Sequence, residues 1–280
     1  MLNYIIWNPN PILFNIGDFE LRWYSVFWAI GLLAAYVIVA KIANKSGIRE
    51  KVVNELFVGC FVGVLVGARL GNCLFYDFDY YSRHLLEIIL PMKQLGNGSW
   101  AYTGYAGLAS HGGVVGLIAG IAAVCIKNKI PVLQVLDLVA IAAPFTACCI
   151  RLANLMNSEI IGTATDVPWA FIFPFIDYIP RHPAQLYEAL FYLSLFLGVI
   201  AIYYSKYGCK LLSCRGFYFG FVISVIFIFR FIIEFLKENQ SAFEDGMAID
   251  MGQILSIPLI VVGMFFVIKS FLHCSFRNNR

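Results

Sequence analysis

Arg151-Leu-Ala-Asn-Leu-Met-Asn-Ser-Glu-Ile-Ile-Gly162 follows directly on an apolar run, Val132 to Ile150, that is long enough to approach a membrane span. An arginine, two asparagines and a glutamate arrive together at its end. On a helix Arg151, Asn154, Ser158 and Glu159 fall at i, i+3, i+7 and i+8 and share one face. Ionisable side chains at membrane depth are costly and face a protein interior or a polar cavity. Two readings are open. Arg151 either ends the helix and snorkels to the headgroups, or it belongs to a polar site for an anionic group.

The chain around this stretch is that of a multispanning membrane protein. Of its 280 residues 60% are hydrophobic and only 13% charged, and the mean hydropathy is +0.78, against about 25% charged residues in soluble domains. The net charge of +3 is dispersed, with no Lys/Arg run, which speaks against nucleic acid as a partner. Met1-Leu-Asn-Tyr-Ile-Ile-Trp7 lacks the pattern of a signal peptide and reads as an aromatic segment at the interface. The eight cysteines show no C-x-x-C pair and the four histidines no H-x-x-x-H spacing, so no metal site is expected and the cysteines read as packing residues.

Apolar windows fall at about 22–43, 53–75, 106–126, 132–153, 185–205, 216–236 and 251–270, which predicts an all-α fold of seven transmembrane helices forming one membrane domain over 1–280. Lys41, Lys45, Arg49, Lys51, Lys127, Lys129, Lys206, Lys210, Arg215, Lys269, Arg277 and Arg280 all fall on one side. The positive-inside rule then places the N-terminus outside and the C-terminus in the cytoplasm. Two exterior segments are too long for simple turns. Residues 76–105 contain a short interfacial helix candidate, Leu85–Leu90, and residues 163–183 are dense in aromatics suited to the headgroup level.

Ala68-Arg-Leu-Gly-Asn72 resembles Ile150-Arg-Leu-Ala-Asn154, and span six carries Arg230 and Glu234 one helical turn apart. Arg69, Arg151 and Arg230 thus suggest a positive pocket open to the outer leaflet, with Arg230–Glu234 as an internal ion pair the competing reading. Gly59, Gly63, Gly67 and Gly71 recur every four residues, as do Gly112, Gly116 and Gly120, the spacing that lets helix backbones approach closely.

His111, in Ser110-His-Gly-Gly113, lies level with the arginines and has the pKa of a general base, near ~6.5. In Arg181-His182-Pro-Ala-Gln185-Leu-Tyr-Glu188, His182 and Pro183 fit a helix entry, while Gln185 and Glu188 share one face. Tyr24 opens span one and Asp250 can cap span seven. These residues point to a membrane enzyme acting on an outer-leaflet anionic phospholipid. The other class is a non-enzymatic protein that binds or transports such a lipid. A transporter should line both leaflets with charge; the inner halves offer Asp137, which favours one-sided chemistry.

Over nearly its whole length the chain resembles the prolipoprotein diacylglyceryl transferases of bacteria. Arg151, Ala153, Asn154, Asn157, Glu159 and Gly162 match the family signature, with Ile150 and Leu155 where glycine and phenylalanine are usual. His111-Gly-Gly, His182-Pro-Ala-Gln-Leu-Tyr-Glu188, Arg230-Phe-x-x-Glu234 and Met251-Gly-Gln-Ile-Leu-Ser256 follow in the family order. The resemblance implies transfer of diacylglyceryl from phosphatidylglycerol to the lipobox cysteine of a prolipoprotein signal peptide, at the outer leaflet of the bacterial inner membrane and without metal or cofactor. His111 would take the thiol proton and Arg151 and Arg230 would hold the phosphate. Tyr24, Asn154, Glu159, Gly162, His182, Gln185 and Glu234 would bind or border the lipid. Two departures stand out. Ile226 occupies the place of a tyrosine that the family carries one turn before Arg230, with Tyr218 two turns further back, and Lys237-Glu-Asn-Gln240 replaces Arg-Glu-Pro-Asp.

Overall fold

Helix α1 (Trp23–Lys45) begins a run of apolar helices that account for most of the chain. The computed structural model describes residues 4–17, 19–90, 92–94, 98–102, 109–238 and 249–278. Beyond α1 it contains α2 (Glu50–Phe75), the short α3 (Phe78–Tyr81) and α4 (Leu85–Ile89), α5 (Ser110–Asn128), α6 (Val132–Met156), α7 (Ala184–Tyr204), the short α8 (Gly208–Ser213), α9 (Phe217–Ile233) and α10 (Met251–Asn278). Among the described residues six helices are long and apolar enough to cross a membrane, each within a few residues of an expected span. The third expected span corresponds to α5, whose apolar part, Gly112–Asn128, is shorter.

The chain packs as two compact units, Met1–Ile42 with Leu136–Arg280, and Ala43–Val135. In the second unit the two predicted glycine ridges face each other. A Cβ added at Gly71 would lie 2.9 Å from the Gly112 Cα, and one at Gly67 2.8 Å from the Gly116 Cα, so α2 and α5 meet backbone to backbone. Outside this pair, α4 is the short helix expected at Leu85–Leu90. Arg69 serves it directly, donating to the main-chain oxygens of Glu87 (2.6 Å) and Ile88 (3.2 Å) and lying over the Tyr81 ring. The β4 (Met92–Gln94) and β5 (Trp100–Tyr102) hairpin completes the described part of this unit.

In the first unit α6, α7, α9 and α10 carry the polar motifs. Asp137, fully buried near the start of α6, accepts from the amides of Gly216 (2.6 Å) and Phe219 (2.9 Å) and so caps the N-terminus of α9 from another helix. That explains a carboxylate inside an apolar run. Short strands, too brief for a sequence pattern to reveal, tie down the segments around the helix ends. β1 (Ile5–Ile6) runs parallel to β6 (Phe171–Ile172), which pairs antiparallel with β7 (Pro180–Arg181); β2 (Ile12–Ile16) and β3 (Phe19–Arg22) form a hairpin. Trp7 seals this sheet onto α6 by donating to the Leu155 carbonyl at 2.8 Å, above a cluster of Leu155, Phe171 and Phe173. The 163–183 segment is thus tied down by short strands at Phe171–Ile172 and Pro180–Arg181.

The cysteine reading needs one correction. Cys214, just past α8, is disulfide-bonded to Cys274 near the end of α10, 60 residues away. Nothing in local spacing announces a pairing that only the α9–α10 hairpin brings about. Cys60, Cys73, Cys125, Cys148 and Cys149 are free thiols inside helices, as expected.

Candidate active site

Helix α6 ends at Met156, and the next residues turn back sharply. Ser158 and Ile160 both adopt positive φ, +55° and +56°. For a β-branched isoleucine that is a costly conformation, so the turn is held by its surroundings. Between them stands Glu159. Its amide bonds back to the Asn154 carbonyl at 2.9 Å, and its two carboxylate oxygens accept from Asn154 Nδ2 and Asn157 Nδ2, each at 3.0 Å. Gln185, fully buried at the start of α7, donates to the Glu159 carbonyl at 2.5 Å. Of the i, i+3, i+7 and i+8 face expected here, Arg151, Asn154 and Glu159 come together, the last placed by the turn rather than by a continuing helix, while the Ser158 hydroxyl makes no hydrogen bond to the group.

Arg151 joins this group through Nη1, 3.4 Å from Asn154 Oδ1. Its Nε lies 3.1 Å from Glu188 Oε2, close enough for an ion pair although not aligned as a hydrogen bond. From Glu188 a line of buried charges continues: Lys237 Nζ is 3.2 Å from Glu188 Oε1 and 3.2 Å from Glu234 Oε2. Side-chain exposures along it are 13, 0, 2 and 9%, so four charges of alternating sign leave water together. Such a row is tolerable only because each charge is flanked by its opposite. Glu234 gains further support at the first turn of α10, where a Cβ on Gly252 would come within 2.6 Å of its Cδ.

The expected Arg230–Glu234 pair does not form, because Lys237 and the α10 N-terminus hold Glu234. Among the described residues Arg230 makes no ion pair with an acidic side chain; it acts electrostatically on Tyr192. Tyr192 is buried on α7 one turn after Glu188, and Arg151 also acts on its hydroxyl. It clusters with Cys148 of α6, one turn below Arg151, and with Ala189, a cluster that Ile226 of α9 packs against, and its ring meets Phe229 just before Arg230. A phenol therefore stands beside both arginines, contributed by α7 while α9 carries Ile226. Tyr218, two turns back, is fully buried and donates to the Gly208 carbonyl at 3.4 Å, which removes it as a substitute.

Tyr24, in the first turn of α1, lies within electrostatic range of Glu159 and Arg151. Gly162 is a joint: its amide donates to the His182 carbonyl at 3.0 Å, it bridges to Lys237, and a Cβ there would lie 2.6 Å from the His182 Cβ and 2.7 Å from the Leu236 carbonyl oxygen. Only glycine permits that approach. His182 contributes its main chain to this joint and turns its ring towards Tyr187, 3.2 Å from the hydroxyl, which accepts from Trp169 Nε1 at 2.8 Å. Arg181 braces the same joint from outside, paired with Asp177 (2.6 Å) and Glu238 and donating to the Gly162 carbonyl at 3.3 Å. Its hydrogen bonds hold the Asp177 carboxyl below the usual carboxylate range. The His111 backbone lies in the first turn of α5; its side chain falls outside the described residues.

Residues 11–269 match the family described as prolipoprotein diacylglyceryl transferase. The chain belongs to that family. It is 54% identical over 263 residues to the phosphatidylglycerol–prolipoprotein diacylglyceryl transferase of Bacteroides fragilis, an alignment covering 94% of each chain. Proteins of the same name from Chloroherpeton thalassium and Vibrio cholerae are 38% and 35% identical, over 96% and 94% of this chain and 95% and 92% of theirs. For a member of this family, the structure draws Tyr24, Arg151, Asn154, Glu159, Gly162, Gln185, Arg230 and Glu234 into the first unit around α6, α7 and α9. It adds Tyr192, which the sequence did not single out, and it joins Glu188, expected as the same-face partner of Gln185, to Lys237, noted only as a departure from the family's Arg-Glu-Pro-Asp.

Proposed function

We propose that this chain transfers the diacylglyceryl group of phosphatidylglycerol to the lipobox cysteine of prolipoproteins, forming a thioether and releasing glycerol phosphate. The observation that carries the reading is the pair of arginines on α6 and α9: Arg151 anchored on its Nε side by Glu188, and Arg230 left without an acidic partner among the described residues. Arginine's planar fork suits a phosphodiester and stays charged. The cysteine thiol loses its proton to His111, and the thiolate attacks the diacylglyceryl carbon. An S–C bond forms, the C–O bond to phosphate breaks, and the electron pair stays on the departing phosphate, where Arg151 and Arg230 offset the new charge. Tyr24, Asn154, Glu159 and Gly162 shape the headgroup side, with Gln185 and the His182 joint behind them and Glu234 fixing Lys237.

In this reading the chain is a single domain of seven spans in the bacterial inner membrane, α5 being the third. Its N-terminus and active site face outward and its C-terminus the cytoplasm, as the lysine and arginine distribution supports. That orientation puts Cys214 and Cys274 in a compartment where disulfides are unusual. Labelling of residues 206–215 by an impermeant reagent in intact cells would overturn it. Transport of lipid is disfavoured because Asp137 is committed to capping α9 rather than lining a path.

The test uses purified protein, phosphatidylglycerol and a synthetic lipobox peptide, with mass spectrometry of the peptide. A diacylglyceryl adduct that disappears with a Cys→Ser peptide is expected. Arg151→Ala should lower kcat/KM by about 10²–10³-fold, the scale of losing one charge-stabilising donor, and His111→Gln should reduce turnover with lipid binding retained. Tight lipid binding with no adduct would replace the enzyme by a lipid-binding protein.

A further inference from the structure

Tyr192 has its ring fixed and its proton uncommitted. The residue is 4% exposed, clusters with Cys148 and Ala189, and meets Phe229 edge-on with ring centroids 6.4 Å apart. A phenol buried this deeply ordinarily gives its O–H to a protein acceptor. Glu188, one turn before it on α7, is the nearest carboxylate in sequence, yet its Oε2 receives no hydrogen bond and its Oε1 takes Lys237 Nζ. Among the described residues no other acceptor takes the Tyr192 proton, and its oxygen is not one of the sealed partnerless atoms of this region. The two arginines converge on that hydroxyl. Side chains on a helix lean toward its N-terminus, so Tyr192 leans back toward Glu188, and Arg151 back toward Cys148 in the Tyr192 cluster. Phe229, against the same ring, immediately precedes Arg230. Both arginines act on the hydroxyl as charges, and Arg151 also as a hydrogen-bond donor. A guanidinium can only donate, so it engages the phenol oxygen and leaves the O–H for a third group.

We propose that Tyr192 is a catalytic residue of the transfer, its O–H donating to the oxygen that leaves the diacylglyceryl carbon. The inference rests on the transferase reading above and adds a neutral donor between its two arginines. The thiolate forms the S–C bond, the C–O bond breaks, and its electron pair stays on the departing phosphate oxygen. The Tyr192 proton remains on Tyr192, and its hydrogen bond strengthens as charge grows on that oxygen. Arg151, donating to the phenol oxygen, polarises the O–H and makes it a stronger donor. The roles of the three groups then differ. Two guanidinium groups hold charge that the phosphodiester already carries in the ground state. The phenol answers charge that appears only as the bond breaks, so its effect falls on kcat rather than on KM. Ile226 offers no such donor from α9, and the Tyr218 hydroxyl is bound to the Gly208 carbonyl.

The experiment measures kcat, KM and thermal midpoint in detergent with phosphatidylglycerol and the lipobox peptide. Tyr192→Phe keeps the ring and its packing, so its midpoint should match the parent's. Its kcat should fall about 10–100-fold, less than for a charged donor, while KM for phosphatidylglycerol stays within about twofold. Ile226→Tyr supplies a phenol from α9, one turn before Arg230 and against the same cluster. Alone it should not raise kcat; added to Tyr192→Phe it should recover about threefold or more of the lost rate, because the two sites share one function. An unchanged kcat in Tyr192→Phe would overturn the proposal and leave the transferase intact. A loss of rate that came with a lowered midpoint, and that the second tyrosine did not recover, would also overturn it and make Tyr192 a packing residue. Absence of any adduct with the wild-type protein would instead overturn the transferase reading.

Discussion

Between α2 and α5 the contact is made of glycine backbones, whereas the ends of α6, α7 and α9 are held by buried charge. In the second unit, close approach excludes side chains, so each contact is weak and non-directional but numerous. In the first, Arg151, Glu188, Lys237 and Glu234 form few contacts, each directional and each dependent on the next. A glycine interface fixes spacing and can do no chemistry. A charge row fixes the orientation of one guanidinium and leaves its remaining donors for a ligand. The difference matters for mutation: damage should be set by volume in one unit and by charge in the other.

The largest effect should come from the charge row. Glu188→Ala leaves Arg151 and Lys237 facing each other's charge without their shared partner, and removing one member of a buried pair costs about 3–5 kcal/mol. Its thermal midpoint in detergent should fall well below the parent's, and Glu188→Gln, which keeps the volume but loses the charge and can accept from only one of the two cations, should fall nearly as far. A Glu188→Gln midpoint close to the parent's would mean that volume rather than charge governs this region as well. Gly116→Leu tests the other side of the comparison. The added carbon meets the Gly63 and Gly67 backbones, which cannot swing away as a side chain could, and overpacking of this kind costs about 1–3 kcal/mol. Gly198→Leu on α7 is the matched control, since nothing lies within 4 Å of its Cβ position, and it should be silent. If Gly116→Leu were equally silent, the glycine ridges would not be the contact that joins α2 to α5.

What the sequence made legible follows the same division. Glycines spaced by four are a regular pattern, so both ridges could be read directly, and β1, β6 and β7 failed to register because two-residue pairings have no alternation to detect. The Arg-x-x-Asn repeat was read correctly as a motif and too broadly as a role. Arg151 points into a polar site, but Arg69, with the same local sequence, is committed to the carbonyls of Glu87 and Ile88. Side-chain partners 18 residues away decide that outcome, and spacing within the helix cannot. Lys237 stood out only as a departure from the family pattern, because a lysine after a span is ordinarily solvated, and the bridge between Gly162 and Lys237 is what draws this one inward beside Glu188. Likewise Ile226 read as a missing hydroxyl, while α7 brings Tyr192 into the cluster that Ile226 packs against.

The smallest expected effect lies at the exposed edge of the charged unit, where Arg181 braces the Gly162 joint. Asp177 accepts from Arg181 at 2.6–3.2 Å, and its carboxyl is held below the usual range mainly by those hydrogen bonds. A depressed carboxylate pKa contributes stability that is complete above the unfolded value, near ~3.9, and is lost as pH falls through the lower folded value. Asp177→Asn should therefore cost ~1 kcal/mol or less at neutral pH, the range of a partly exposed pair. The gap between variant and parent should close below pH ~4, as the parent's own carboxylate takes up its proton. Thermal midpoints of both proteins measured from pH 7 to pH 3 decide the matter. A gap that persists undiminished at pH 3 would assign the effect of Asp177 to its hydrogen bond with the Ile179 amide, at 3.0 Å, rather than to its charge. The joint at Gly162 would then be braced by shape at its rim and by charge only at its buried end.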